Sequence, residues 1–115
     1  MPNIHVVGDA TIAAPMPKSG FVANSQGKVV AYAIAKLLAG ETPTPQPRFL
    51  NTCYSLVTPD YGISVVNVYR AAAGKMTEVQ GSGGVSPVEV PADFRKTEAL
   101  YAEAWFRTIT SEVFG

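Results

Sequence analysis

Between Gly20 and Ala39 apolar residues recur three and four apart. Val22, Val29, Val30, Ala33, Ile34, Leu37 and Leu38 fall on one face, the pattern of an amphipathic helix. Ser19 is placed to cap its start, because a serine hydroxyl accepts from the open amides of the first turn. Gly40 is placed just past its end, with Pro43 shortly after. Upstream, Ile4-His5-Val6-Val7 reads as a strand running into a Gly8-Asp9 turn. Residues 8–19, with Gly8, Pro15, Pro17 and Ser19, read as a loop. Downstream, ETPTPQP at 41–47 carries three prolines in seven residues, which predicts an extended connector. The pattern then shortens. RFLNTCYSLV at 48–57 and GISVVNVYRA at 62–71 predict two strands joined by the TPDYG turn as an antiparallel hairpin. KMTEVQG at 75–81 predicts a third strand, and GSGG at 81–84 a flexible break. From Pro91 the helical period returns. Tyr101, Trp105, Ile109 and Val113 stand four apart, and Phe94 joins the same side.

The elements predict an α+β chain with three parts. Residues 1–40 form a strand–helix unit, half of a βα crossover, whose lone strand needs neighbours to make a sheet. Residues 41–47 are the connector. Residues 48–115 form a three-stranded antiparallel sheet covered by the C-terminal helix, a layer able to stand alone.

Composition narrows the function classes. The 115 residues are 47% hydrophobic and 16% charged, a globular balance. Nine basic residues match nine acidic ones, which gives no electrostatic reason to expect nucleic acid or an anionic membrane surface. No apolar run approaches the ~20 residues of a transmembrane helix, and no signal peptide is visible. Cys53 and His5 are the sole cysteine and histidine, so an internal disulfide and a Cys/His zinc site are both excluded, and no metal site is expected.

Four features can carry chemistry. Asp9, at the C-terminal end of the predicted strand, sits where open α/β sheets bind ligands and can accept from cofactor hydroxyls; equally, Gly8-Asp9 can be a turn bonded to its own backbone. Lys18, Ser19, Gly20 and Phe21 open a helix whose positive end favours an anion or an electron-rich carbonyl; the plainer reading is a solvated lysine beside an ordinary cap. Strand alternation puts Cys53 on the face of Asn51 and Ser55, so its thiol is either a small buried group or a reactive one among polar neighbours. Trp105, with Phe94, Tyr101 and Phe106, forms either core or the wall of a cofactor site.

Three blocks, HVVGDATIAAPMPKSGFVANSQGKVVA, NTCYSLVTPDYGISVVNVYR and EALYAEAWFRTITSEVFG, resemble in order and spacing the C-terminal third of the flavoprotein subunit of flavocytochrome c sulfide dehydrogenase. The resemblance implies that residues 1–40 are the last strand and helix of a FAD-binding domain and that 48–115 are a flavin-site and interface domain. It implies FAD as cofactor, with Gly8 and Asp9 at the ribityl chain and Lys18, Ser19, Gly20 and Phe21 facing the flavin ring. It implies that Cys53 is one of two redox-active cysteines and that Trp105 walls the flavin. The implied reaction is sulfide oxidation, with electrons passing through flavin to a cytochrome c subunit in the periplasm.

The sequence departs from that pattern in two ways. It holds no Gly-x-Gly-x-x-Gly turn for the FAD pyrophosphate, and it lacks the second redox cysteine and the flavin-attaching cysteine. The expectation is therefore a C-terminal fragment that works with the remaining N-terminal flavoprotein domains. Alone it is expected to be inactive, not to hold FAD, and to self-associate through uncovered apolar faces. The alternative is a non-catalytic interaction module that docks a cytochrome or a second copy. A quinone-reducing relative fits the NTCYS and PDYGIS block less well.

Overall fold

Ser19 sets the start of the first helix as its residue type predicts. In the computed structural model, which describes residues 4–115, α1 runs Gly20–Leu38, and the Ser19 hydroxyl accepts from the Val22 amide at 3.1 Å. The same hydroxyl donates to Asn51 Oδ1 at 2.8 Å, and Asn51 is buried. At the other end Gly40 adopts φ +71°. The Glu41 amide donates to the Lys36 carbonyl and the Gly40 amide to the Leu37 carbonyl. This paired closure satisfies the last carbonyls and needs the left-handed residue that glycine supplies. Ser19→Ala removes both the cap and the Asn51 contact, and is expected to cost about 1–2 kcal/mol. Thermal unfolding followed by circular dichroism reads the loss.

Four strands follow: β1 (Arg48–Thr58), β2 (Tyr61–Ala72), β3 (Lys75–Glu78) and β4 (Gly84–Val85). Their order is β1-β2-β3, with β4 also on β2. Helix α2 (Ala92–Phe114) closes the chain. The α+β class is therefore as the sequence implies. The β2–β3 turn is a two-residue loop in which both Ala73 and Gly74 have positive φ, at 51° and 74°. That is the backbone of the turn type whose twist suits a tight hairpin, and it sets Ala72 opposite Lys75.

The chain divides into two compact units, and β1 and β2 each supply residues to both. The first comprises the residues up to Asn51 and Asn67–Gly83. Its core is Met16, Val22, Phe49 and Tyr69, with Val29, Ala71 and Met76 packed against them. Only the first half of α1 is buried. Ile34 and Leu37 are exposed and Leu38 is 85% exposed, so the predicted apolar face outruns its cover. Residues 4–7 are not a strand. Val7 is extended, at φ −133° and ψ 165°, and Gly8–Ala10 form a 3-10 turn. An extended segment becomes a strand only when a neighbour accepts its ladder, and none among the described residues pairs with 4–7.

The second unit comprises Thr52–Val66 and Gly84–Gly115. Here GSGG is more than a break. Its last glycine opens β4, which pairs Val65 with Val85 and Val66 with Gly84. Helix α2 buries Arg95, Glu98, Ala99 and Ala102. Phe94, Tyr101 and Val113 are exposed, and Trp105 and Ile109 are half-buried, so the buried face is not the aromatic one. The reason lies at Gly62. A Cβ built there would stand 2.5 Å from the Ala99 nitrogen and 2.7 Å from the Glu98 carbonyl carbon. Strand and helix backbones meet at this point, and only glycine against alanine permits that approach.

Glu98 organises the polar part of this contact. It accepts from Ser64 Oγ at 2.8 Å, Ser86 Oγ at 2.5 Å and Arg95 Nη1 at 3.3 Å. Arg95 also donates to the carbonyls of Pro87 and Val88, and its guanidinium lies 5.0 Å from the centre of the Tyr61 ring. The buried charges are thus paired and hydrogen-bonded on several sides, the condition under which burial is tolerated.

Candidate functional site

Around the N-terminus of α1, four of the residues singled out from the sequence line one cavity of about 290 Å³: Gly8, Asp9, Lys18 and Ser19. The loop is held by bonds from opposite sides. The Gly8 amide donates to Gln26 Oε1 at 2.5 Å, and Lys18 Nζ donates to the Asp9 carbonyl at 2.7 Å. Gly8 has φ +69°, where a side chain would be strained. Ser19 is committed to the cap and to Asn51. The Asp9 carboxylate is exposed, while its carbonyl is the group that Lys18 holds. Gly20 and Phe21 form the first residues of α1 without lining the cavity.

Sequence reasoning missed Gln26. It is buried, and it ties the first helical turns to the Gly8 turn across eighteen residues of chain. A signal existed: Gln26 stands between Val22 and Val29 on the apolar stripe, where a glutamine needs a partner. Asn51 carries a similar signal as a buried amide in a strand.

Cys53 and Trp105 belong to the second unit. Cys53 lies in β1, half-buried. Trp105 packs against Tyr54, with ring centres 6.2 Å apart and planes tilted by 38°. The two rings line a cavity of about 500 Å³ with Leu56, Ala102 and Phe106. Burial raises the Tyr54 phenol pKa, and Glu98 and Tyr101 add to the effect. Because Cys53 and Tyr54 are adjacent in a strand, they face opposite ways, so Trp105 is on the side of β1 away from the thiol. Among the described residues, no group of three or more His, Cys, Asp or Glu is placed to hold a metal ion. Nor is any helix among them long and apolar enough to cross a membrane.

The loop cavity is chemically suited to part of a cofactor. It offers a carboxylate for hydroxyl groups, an ammonium, and a helix N-terminus, and its size is at or below the low end of ligand pockets, roughly 300–1,000 Å³. Ile12, Ala13, Ala14, Met16, Pro17 and Val22 make the rest of its lining apolar. The chain belongs to the flavocytochrome c sulphide dehydrogenase flavin-binding family: the family model described as "Flavocytochrome c sulphide dehydrogenase, flavin-binding" matches residues 45–114, more than half of the sequence. The matched stretch contains Cys53 and Trp105 and lies wholly after the Asp9–Phe21 loop and helix start.

Proposed function

We propose that this chain is the C-terminal part of a FAD-dependent sulfide dehydrogenase that passes electrons from sulfide through flavin to a cytochrome c subunit. The observation that carries the reading is the family match over residues 45–114, with the only thiol of the chain inside it. Bound FAD would supply the two-electron acceptor that links sulfide to a one-electron cytochrome. In this reading the Asp9 carboxylate accepts hydrogen bonds from ribityl hydroxyls, and the Gly8 turn lets the backbone come close. Lys18 and the α1 N-terminus, at Ser19, Gly20 and Phe21, favour negative charge in front of them. Cys53 would form a disulfide with a cysteine of another polypeptide segment. Hydrosulfide attack breaks that S–S bond, one sulfur keeping the sulfide sulfur as a persulfide and the other leaving as a thiolate whose electron pair bound FAD would accept, and Trp105 with Tyr54 forms an aromatic wall.

One thiol cannot form a disulfide within the chain, so the second cysteine of that chemistry must come from another polypeptide segment. We therefore expect the isolated 115-residue chain neither to retain FAD nor to reduce cytochrome c with sulfide. A purified chain that is yellow, with flavin absorbance and sulfide-dependent cytochrome reduction, would refute this. The periplasm is the compartment this reading requires.

The interaction-module reading draws on a different observation. Tyr32, Ile34, Leu37 and Leu38 on α1, and Tyr101, Phe106 and Phe114 on α2, are exposed. Apolar exposure of this kind marks surfaces that other protein covers. Size-exclusion chromatography with light scattering separates self-association from a lone monomer.

A further inference from the structure

We propose that a second copy of this chain docks at the outer edge of β1, its own β1 running antiparallel there beneath the overhanging end of α2. The proposal rests on reading the exposed apolar faces as self-association surfaces, and it names the face. Helix α2 crosses its sheet strand by strand. Glu98 bonds Ser86, just past β4, and Ser64 on β2. Ala99 lies against Gly62 on β2, and Trp105 lies against Tyr54 on β1. The six residues from Ala99 to Trp105 thus carry the helix one strand across. There the sheet ends, since no strand among the described residues pairs with the outer edge of β1. The helix continues. Its buried stripe, Ala99 and Ala102, runs on at spacings of four, three and four through Phe106, Ile109 and Val113. Phe106 is 63% exposed and Val113 60%. Leu56, on the β1 face that α2 covers, is 52% exposed. From Phe106 to Val113 the helix advances about 10 Å, enough to cover one more strand at the spacing of about 4.8 Å.

The chain itself can supply that strand. An edge strand offers unpaired amides and carbonyls to another strand. A two-fold axis normal to the sheet at this edge sets β1 antiparallel to its copy and puts both α2 helices on one face. Ile109 and Val113 of each copy then cover Leu56 of the other, so each contact is made twice, as an isologous interface requires. Glu103 and Arg107, beside the stripe, pair with each other, so no net charge is set against its like. Leu56, Val57, Phe106 and Val113 expose on the order of 400 Å² of apolar surface per copy, and with the paired backbones the total over two copies reaches about 1,000 Å², where specific interfaces begin.

The test is sedimentation equilibrium of the 115-residue chain, with variants. A reversible dimer of 12.2 kDa copies is expected, with a dissociation constant on the order of 10 μM. Phe106→Glu and Val113→Lys, both at exposed positions, should each raise that constant at least about tenfold while helix content by circular dichroism stays the same. Leu37→Glu, on the exposed end of α1, should leave it unchanged. In a mixture of isotope-labelled and unlabelled copies, filtered NOEs should join β1 to β1 and the Val113 methyls to Leu56. A chain still monomeric at about 0.5 mM overturns the proposal together with the self-association reading. A dimer that Leu37→Glu dissolves and the α2 variants do not, or one without NOEs between β1 strands, overturns the proposal and leaves self-association standing.

Discussion

Replacing Glu98 with alanine is expected to lower stability by about 3–5 kcal/mol, the range for breaking one side of a buried ion pair. The Glu98 side chain is 10% exposed and that of Arg95 5%, so solvent screens the pair little. In the variant the guanidinium stays enclosed by the Pro87 and Val88 carbonyls and the Tyr61 ring, without its counter-charge. The Ser64 and Ser86 hydroxyls lose their shared acceptor as well, although they stand 3.4 Å apart and can bond each other. Glu98→Gln keeps an acceptor oxygen and should cost less. Arg95→Met combined with Glu98→Leu removes both charges and should recover most of the loss. Trp105 is the single tryptophan and lies in the same unit, so its fluorescence during urea unfolding reports the change directly. A loss of less than about 1 kcal/mol in Glu98→Ala would mean that the pair is solvated, contrary to its burial.

Gly62→Ala should have an effect of similar size for a steric reason. The new methyl would lie under 3 Å from three backbone atoms of Glu98 and Ala99. Backbone cannot rotate away as a side chain can, so α2 must move off β2, and overpacking of this kind costs typically ~1–3 kcal/mol and occasionally more. We expect about 3 kcal/mol, with the Ser64 and Ser86 bonds to Glu98 lengthened as the helix shifts. Gly27→Ala is the matched control, since nothing stands within 4 Å of a Cβ at Gly27. There, mid-helix alanine should be neutral or stabilising, by up to about 1 kcal/mol.

The contrast between these glycines shows what the sequence makes legible. Local signals were plain: the Ser19 cap, the Gly40 closure and the hairpins depend on a few adjacent residues. Features that depend on a distant partner were not. Ile4–Val7 has the composition of a strand, but pairing is a property of two segments. The α2 aromatics have helical spacing, yet Gly62 and the Glu98 cluster decide which face is buried. Likewise, β4 is held beside β2 by Ser86, whose amide donates to the Ser64 carbonyl and whose hydroxyl accepts from the Ser64 amide, which no spacing within GSGG announces. For the candidate site, convergence of Gly8, Asp9, Lys18 and Ser19 was legible from the strand–loop–helix order, whereas their anchor Gln26 was hidden in an apolar stripe.

The central claim is that Cys53 carries sulfur in a flavin-dependent sulfide oxidation. It is tested most directly by Cys53→Ser in the assembled flavoprotein, with FAD bound and cytochrome c as acceptor. The account predicts an unchanged flavin spectrum and a fall in sulfide-dependent cytochrome reduction of at least about a hundredfold, because a hydroxyl cannot replace the thiolate in sulfur transfer. A rate equal to that of the unsubstituted protein would contradict it.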